Sequence, residues 1–396
     1  MNTFTKKLKN FFTKTDGLLW MLSLAAIVFS ILLISSMQRT SEYNFLVSQI
    51  VAIIIGYFLA ICISLVEYEN ILKYWIVFGV IGLLLIILVF VFGFNVTGTD
   101  DTAWIRLPGG LSFQPSELIK LIFIITFTKH LQILKEKNKL TSLFGVLSLL
   151  LHMAIPVVLI HFQGDDGTVL VFIFMFLIMA FVGGVQIRYF LIMLLAFAVS
   201  APIIWKFFLN DEHKNRFIAL FDLDGNSLTN YGWQQYQGKV SIASGGLYGE
   251  GLGNGMRVSS QIVPEQENDF IFTVAGEELG FIGCILLLTI LVAIIVKIII
   301  NATKARDYTG KMICVGVFSM IFTQTVVNIG MVLGFLPVVG ITLPFFSSGG
   351  TSILSVLIGI GLVQSVYYHK DESVTPDGVI KSKKYKYKFE NQNPIY

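Results

Sequence analysis

Between Asp16 and Arg39 the chain reads GLLWMLSLAAIVFSILLISSMQ, residues 17–38, with no charged side chain. About 20 mostly apolar residues in helical form cross the hydrocarbon core of a bilayer, so this run is a membrane span. Lys6, Lys7, Lys9 and Lys14 precede it and no small-residue cleavage pattern accompanies it, so it reads as an uncleaved first helix. The whole chain shares this character: 55% of its 396 residues are hydrophobic and 13% charged, with a mean hydropathy of +0.76. A water-soluble domain of this length does not have that balance. Further runs follow, and together they begin near Gly17, Phe45, Leu72, Gln114, Leu143, Gly167, Arg188, Asp269, Lys311 and Pro344. The expected fold is an all-α membrane protein, a polytopic bundle of about ten transmembrane helices. A short acidic turn around Glu67 and Glu69 divides the second span from the third, and a long extracytoplasmic loop separates the seventh from the eighth.

Cytoplasmic loops retain Lys and Arg, which sets the expected orientation. With the N-terminus inside, Lys73, Lys129, Lys135, Lys137, Lys139, Lys297, Lys304, Arg306 and the tail cluster from Lys370 to Lys388 all fall inside. The other side holds Arg39, Arg106, Lys206, Lys214, Arg216, Lys239 and Arg257, so both termini are expected in the cytoplasm. The chain then divides into a cytoplasmic segment 1–16, a membrane domain 17–368 with outer loops 95–113 and 208–268, and a basic tail 369–396. The tail reads as a disordered arm against anionic headgroups. Long ordered loops usually carry function, which directs attention to the outer face. The net charge of +3 gives no basic excess, so no nucleic-acid partner is expected. Cys62, Cys284 and Cys314 have no CxxC spacing and read as small core residues.

Ionisable groups inside a bundle are costly, and each is a candidate functional site. Glu117 and Lys120 lie one helical turn apart, facing the same way as Thr128; they are either an internal ion pair or part of a site. Asp165 and Asp166 stand before the sixth span, where an N-cap at Asp166 explains one of them and a divalent cation is the alternative. Gln324 and Asn328, followed by Ser347, Ser348, Gly349 and Gly350, are either close helix packing or a polar groove wall. Asp269 sits where the long loop enters the eighth span, above a helical face of Thr273, Gly276, Gly280 and Gly283. It is an N-cap or a catalytic base. The glycine-rich run from Ser244 to Gly255 lacks a Gly-Lys-Ser/Thr ending and is not a phosphate loop. No Cys/His cluster offers a zinc site, and His152 and His161 have no partner at ligand spacing.

These same places carry a family likeness. The chain resembles the SEDS family of cell-wall proteins, the RodA, FtsW and SpoVE group, along nearly all of its membrane part. The matching motifs are Phe113-Gln-Pro-Ser-Glu117 with Lys120; Gln163-Gly-Asp165-Asp-Gly167-Thr168; Asn215-Arg216-Phe217 with Phe221-Asp222; Ser244-Gly-Gly-Leu-Tyr-Gly249; Pro264-Glu265 with Asn268-Asp-Phe-Ile-Phe272 and Glu277-Glu-Leu-Gly280; and Asn328-Ile-Gly-Met331 with Leu343-Pro-Phe-Phe-Ser-Ser-Gly-Gly350. The Asn-Ile-Gly-Met wording leans towards the RodA-like branch. The family often has arginine where this chain has Ala103, proline for Gly164, leucine for Asp166 and tyrosine for Ser348.

The resemblance implies a peptidoglycan glycosyltransferase of the bacterial cytoplasmic membrane. Its substrate is lipid II, an undecaprenyl-pyrophosphoryl disaccharide-pentapeptide, and its partner a class B penicillin-binding protein acting as transpeptidase. It assigns Asp269 to the family's essential aspartate and Trp104 to the tryptophan of the first outer loop. Polymerisation needs a carboxylate to take the acceptor proton and cations to meet the charge on the leaving pyrophosphate. Asp269 is the expected base; Arg106, Arg216, Lys239, Arg257 and the deeper Lys120 are the candidate cations, with Glu117 and Ser347 beside them. A divalent cation, Mg or Mn, held by the pyrophosphate fits the same chemistry, while its protein ligands stay open. A lipid II flippase and a noncatalytic scaffold for the transpeptidase are the alternatives.

Overall fold

The computed structural model describes residues 11, 13–38, 45–94, 102–106, 112–207, 211–221, 232–374 and 380–382. In chain order its membrane part comprises α1 (Gly17–Gln38), α2 (Phe45–Leu65), a short α3 (Tyr68–Lys73) and α4 (Trp75–Phe92). A small antiparallel sheet follows, β1 (Gly93–Phe94), β2 (Trp104–Arg106) and β3 (Ser112–Phe113), with β2 in the middle. Then come α5 (Pro115–Glu136), α6 (Leu143–His161), α7 (Asp166–Gly183) and α8 (Ile187–Phe207). The outer segment carries α9 (Asp211–Ile218), α10 (Trp233–Ser244) and α11 (Met256–Ser259), before α12 (Ile271–Thr303), α13 (Tyr308–Val332) and α14 (Gly350–Tyr368). Among the described residues nine helices are long and apolar enough to span a membrane. The 22-residue α5 is the tenth by length, its hydropathy lowered by Glu117, Lys120, Lys129, Lys135 and Glu136. Of the tail expected to be a disordered arm, Glu372–Val374 instead pairs antiparallel with Ile380–Ser382, while 375–379 and 383–396 lie outside the described residues, as do 95–101, 107–111, 208–210 and 222–231 of the outer loops.

Lipid and core are both apolar, so hydrophobic periodicity does not tell the buried face of a span from the exposed one. Small and polar residues do. In α2 the buried residues are Gln49, Ala52, Gly56, Ala60 and Ser64, one stripe at helical spacing. They pack on α14: a Cβ on Gly56 would stand 2.6 Å from Leu357 Cδ1, and one on Gly361 2.7 Å from Ala60 Cα. Helices α13 and α14 form the centre, buried on most faces. Helix α8 lies at the opposite extreme, with Tyr189 its sole buried residue. Its first turn is tied by Arg188 and Tyr189, which both donate to Thr141 O, at 3.0 and 2.9 Å.

The expected acidic turn between the second and third spans is instead the helix α3, and its carboxylates have specific partners. Arg306 bonds Glu67 at 2.6 Å and Asp307 at 3.1 Å, while Thr309 donates to Glu69 at 2.8 Å. Asp307 caps α13 through Gly310 N at 2.7 Å and accepts from the Tyr68 hydroxyl at 2.6 Å. The first and last spans are locked at the same end. The Gln364 side chain accepts from Asp16 N and donates to Asp16 O, and Lys297 pairs with the Asp16 carboxylate at 2.9 Å.

The eighth span is not one continuous helix. Gly280 has φ +67 and ψ −164 inside α12, which a residue with a Cβ adopts only under strain. The glycine-rich segment closes the gap: Glu250 N and Gly251 N donate to the carbonyls of Glu277 and Glu278, both at 2.9 Å. In return Phe281 N donates to Gly246 O at 2.9 Å and Ile282 N to Leu247 O at 3.3 Å. Four backbone groups beside the break thus find partners in that loop, as a low-dielectric surrounding favours. The glycines allow the approach, since a Cβ on Gly245 would lie 2.0 Å from Gly276 O and one on Gly249 2.2 Å from Glu278 O. The face of Gly276 and Gly280 expected to run smoothly down one helix is therefore interrupted and covered by this loop and by Ile242 of α10.

Inside α5, Lys120 Nζ and Glu117 Oε1 are 2.7 Å apart, with side chains 1% and 5% exposed. Ser355 of α14 donates to the other carboxylate oxygen at 2.8 Å, so the pair also joins two helices. Removing one partner of a buried pair strands the other charge. Glu117→Gln and Lys120→Met are each expected to lose about 3 to 5 kcal/mol, and the double variant less than either alone. Melting curves in detergent check this, and strictly additive losses would dissolve the pair as a unit. A second expectation concerns Asp307. Burial alone would raise the Asp307 carboxyl, but bonds from Tyr68, Gly310, Thr309 and Arg306 together outweigh it and hold it below its ordinary value of 3.8. A depressed carboxyl stabilises the fold above the unfolded value and loses that contribution as pH falls through the folded one. Acid melting of Asp307→Asn should accordingly be flatter than wild type below about pH 4. Parallel curves would separate Asp307 from acid stability.

Candidate functional site at the outer face

The turn before α12 holds Asp269 half-buried, one residue ahead of the cap position, which is Phe270. Three consecutive carbonyls fix this turn. Ser348 N donates to Glu267 O at 2.7 Å, Ser347 Oγ to Asn268 O at 2.6 Å, and Asn328 Nδ2 to Asp269 O at 2.7 Å. The Ser347 hydroxyl also accepts from Leu343 N at 2.7 Å, so both its lone pair and its proton serve the framework beneath Asp269. The tenth span, expected from Pro344, starts only at Gly350 because residues 344–349 are used in this clamp.

The Asp269 carboxylate faces Gly340, where a Cβ would stand 3.4 Å from Oδ2 and where φ is +67. Gly340 belongs to the connection 333–349 between α13 and α14, and two expected cations are seated on the same connection. Arg216 Nη1 donates to Val338 O at 3.2 Å. The ammonium of Lys239, on α10, lies over Gly334, 2.3 Å from where a Cβ would be. Helix α7 meets the segment from the other side, since a Cβ on Gly167 would fall 2.2 Å from Val339 O. One short stretch of backbone thus brings Asp269, Arg216, Lys239 and the start of the sixth span together. Proline at 337 and glycines at 334 and 340 were the sequence signal for it.

The helix-cap assignment differs from expectation: Asp165, not Asp166, caps α7, accepting from Thr168 N at 3.0 Å. Its other oxygen accepts from Gln114 at 2.9 Å and Ser116 at 3.0 Å. Burial pushes the Asp165 carboxyl up, against the opposing pull of Thr168, Ser116 and the Lys120 charge. Asp166 is free of the cap and meets His161 Nδ1 at 2.5 Å, a contact the sequence reading did not foresee. His152 likewise has a partner, His130, at 3.0 Å between Nδ1 atoms. Glu117 and Lys120 lie below Asp165 within the bundle, bonded to each other.

Trp104 and Arg106 are on the central strand β2, apart from the 333–340 connection, with the Arg106 guanidinium 4.4 Å from the Phe94 ring centroid. Arg257 is committed elsewhere. It donates to Ser241 Oγ at 2.9 Å and to Gln237 Oε1, and its backbone N bonds the buried Glu277 at 2.7 Å. It is therefore part of the loop framework around Glu277, whereas Arg216 and Lys239 lie on the connection beside Asp269. Among the described residues no three His, Cys, Asp or Glu side chains form a cation cage.

The model of the FtsW/RodA/SpoVE family, described as "Cell cycle protein", matches residues 12–372. The chain is 32% identical to "Peptidoglycan glycosyltransferase MrdB" of Escherichia coli (strain K12) over 288 residues, 72% of this chain and 76% of that one. It is 30% identical to "Probable peptidoglycan glycosyltransferase FtsW" of Geobacter metallireducens over 358 residues, covering 89% and 94%. Among solved structures, a chain from work on a peptidoglycan synthase complex that coordinates polymerization and crosslinking superposes with a TM-score of 0.75 at 27% identity, over 90% of this chain and 98% of that one. The rod shape determining protein RodA of Thermus thermophilus superposes with a TM-score of 0.67 at 26% identity, over 91% and 98%. A family model spanning nearly all the membrane part, with relatives aligned along most of their own length, leaves one conclusion: the chain belongs to the FtsW/RodA/SpoVE family.

Proposed function

We propose that this chain is a peptidoglycan glycosyltransferase that polymerises lipid II at the outer face of the cytoplasmic membrane, with Asp269 as its general base. The observation that carries the assignment of the base is the seating of Asp269, Arg216 and Lys239 around one connection, residues 333–340. In the reaction the Asp269 carboxylate takes the proton of the acceptor sugar hydroxyl. That oxygen bonds the anomeric carbon of the donor while the bond from this carbon to the pyrophosphate oxygen breaks. Arg216 and Lys239 meet the negative charge that collects on the departing lipid pyrophosphate. Trp104 and Arg106 on the β1–β3 sheet form an outlying contact for the glycan or the lipid head. Lys120 and Glu117 act from beneath, shaping the floor through Asp165.

A Mg or Mn ion suits the pyrophosphate, and without a protein cage its ligands would come mainly from the phosphate oxygens. A class B penicillin-binding protein is the proposed partner, supported by the likeness to the chain of a peptidoglycan synthase complex. Both termini are placed in the cytoplasm on the strength of the Lys and Arg distribution.

Asp269→Asn keeps the shape and loses the proton acceptor. It is expected to melt like wild type and to polymerise lipid II about 100- to 10,000-fold more slowly. Gel analysis of the polymer measures this, and an undiminished rate would remove Asp269 from the chemistry. The orientation has its own check. In a chain with Cys62, Cys284 and Cys314 replaced by alanine, a cysteine at the exposed Ser260 should react with a membrane-impermeant reagent in spheroplasts. A cysteine at the exposed Lys137 should react only after lysis, and the reverse pattern would turn the site inward.

A further inference from the structure

Asn328 lies in the outer half of α13, wholly buried, and touches no solvent and no outer cation by any bond described above. Its side-chain nitrogen has two hydrogens, and two carbonyls receive them: Asp269 O at 2.7 Å and Ile341 O at 2.6 Å. Those carbonyls belong to the two stretches that face each other across the site, the turn bearing Asp269 and the connection bearing Gly340. The amide orientation is settled by the chemistry, since turning it over would set Oδ1 against two other oxygens. Oδ1 is buried with no hydrogen-bond partner. An apolar residue here would remove the orphan acceptor but leave both carbonyls without their donor, so the amide is kept for what its nitrogen holds. What the amide provides is two donors from one atom. Serine supplies one, aspartate in its ionised form none, and glutamine carries its amide a methylene too far.

We propose that Asn328 is the positioning residue of the site: by donating to both carbonyls it fixes the direction of the Asp269 side chain relative to the connection that seats Arg216 and Lys239. The inference rests on Asp269 being the base. A base displaced by about 1 Å loses on the order of 100-fold in rate. Ser347 and Ser348 hold the neighbouring carbonyls of Asn268 and Glu267, so without Asn328 the turn stays attached while its last peptide is released.

The test uses the full-length chain in detergent or liposomes with lipid II, comparing wild type, Asn328→Leu, Asp269→Asn and the double variant. Asn328→Leu strands two carbonyls and is expected to melt below wild type; assayed at a temperature where it stays folded, it should keep its KM and lose about 100-fold in kcat. In the Asp269→Asn background, where no base remains to be aimed, the same substitution should cost nothing further in the residual rate. Either a wild-type kcat in Asn328→Leu or an equal loss in both backgrounds overturns the positioning role, the second because it marks a general structural effect. If Asn328→Leu does not fold, Asn328→Ser, which retains one donor, enters the same cycle and is judged by the same two outcomes. Full polymerisation by Asp269→Asn alone is a different result, one that removes the base assignment on which the inference stands.

Discussion

A peptide group inside a bilayer has no water to bond, and an unpaired one costs several kcal/mol by most reckonings, on the order of a whole protein's margin of stability. The outer half of this molecule is organised by that constraint. Where α12 breaks at Gly280, the Glu250 and Gly251 amides and the Gly246 and Leu247 carbonyls replace the missing helical partners. Where α13 ends and α14 has not begun, Asn328, Ser347 and Ser348 take up the carbonyls of the turn before α12. The irregular backbone that carries the site is held because other pieces of the protein bond these polar groups.

The two ends of the bundle use polar groups differently. At the end that holds Asp16 and Asp307 charges face charges: Arg306 bridges Glu67 and Asp307, and Lys297 holds Asp16. At the outer end the side chains mostly hold backbone, as Asn328, Ser347 and Glu277 do, which leaves the charges of Asp269, Arg216 and Lys239 around one connection. A rigid base and a rim that presents charge are what transfer of a sugar from a pyrophosphate requires.

The spans were readable because apolar length alone sets them, and so was the ion pair in α5, because two charges one turn apart inside a span have few other options. Partners were not readable where they depend on distant backbone. Asp165 and Asp166 differ only in position, and nothing local says that the first caps the helix while the second meets His161. The glycine-rich run was legible only as not a phosphate loop; its partner is the span broken at Gly280, which in the sequence reads as part of a continuous helical face. Arg257 looked as available as Arg216 until Gln237, Ser241 and Glu277 were found around it. Ser347 shows the same limit: a hydroxyl near a site is as able to hold carbonyls as to meet a substrate.

The fit of α14 against α2, and of Gln364 against Asp16, pairs the two ends of the chain. Gln49 of α2 donates to Ser347 O, and Ser365 of α14 to Val66 O. A ribosome that has delivered nine spans into the membrane has therefore delivered a chain whose second helix still shows lipid its stripe of small and polar residues. Helix α14 is the keystone of that seam. Until the last helix leaves the translocon, the earliest ones wait half-assembled, and a message cut short by a few dozen codons yields a product with an open seam through its middle.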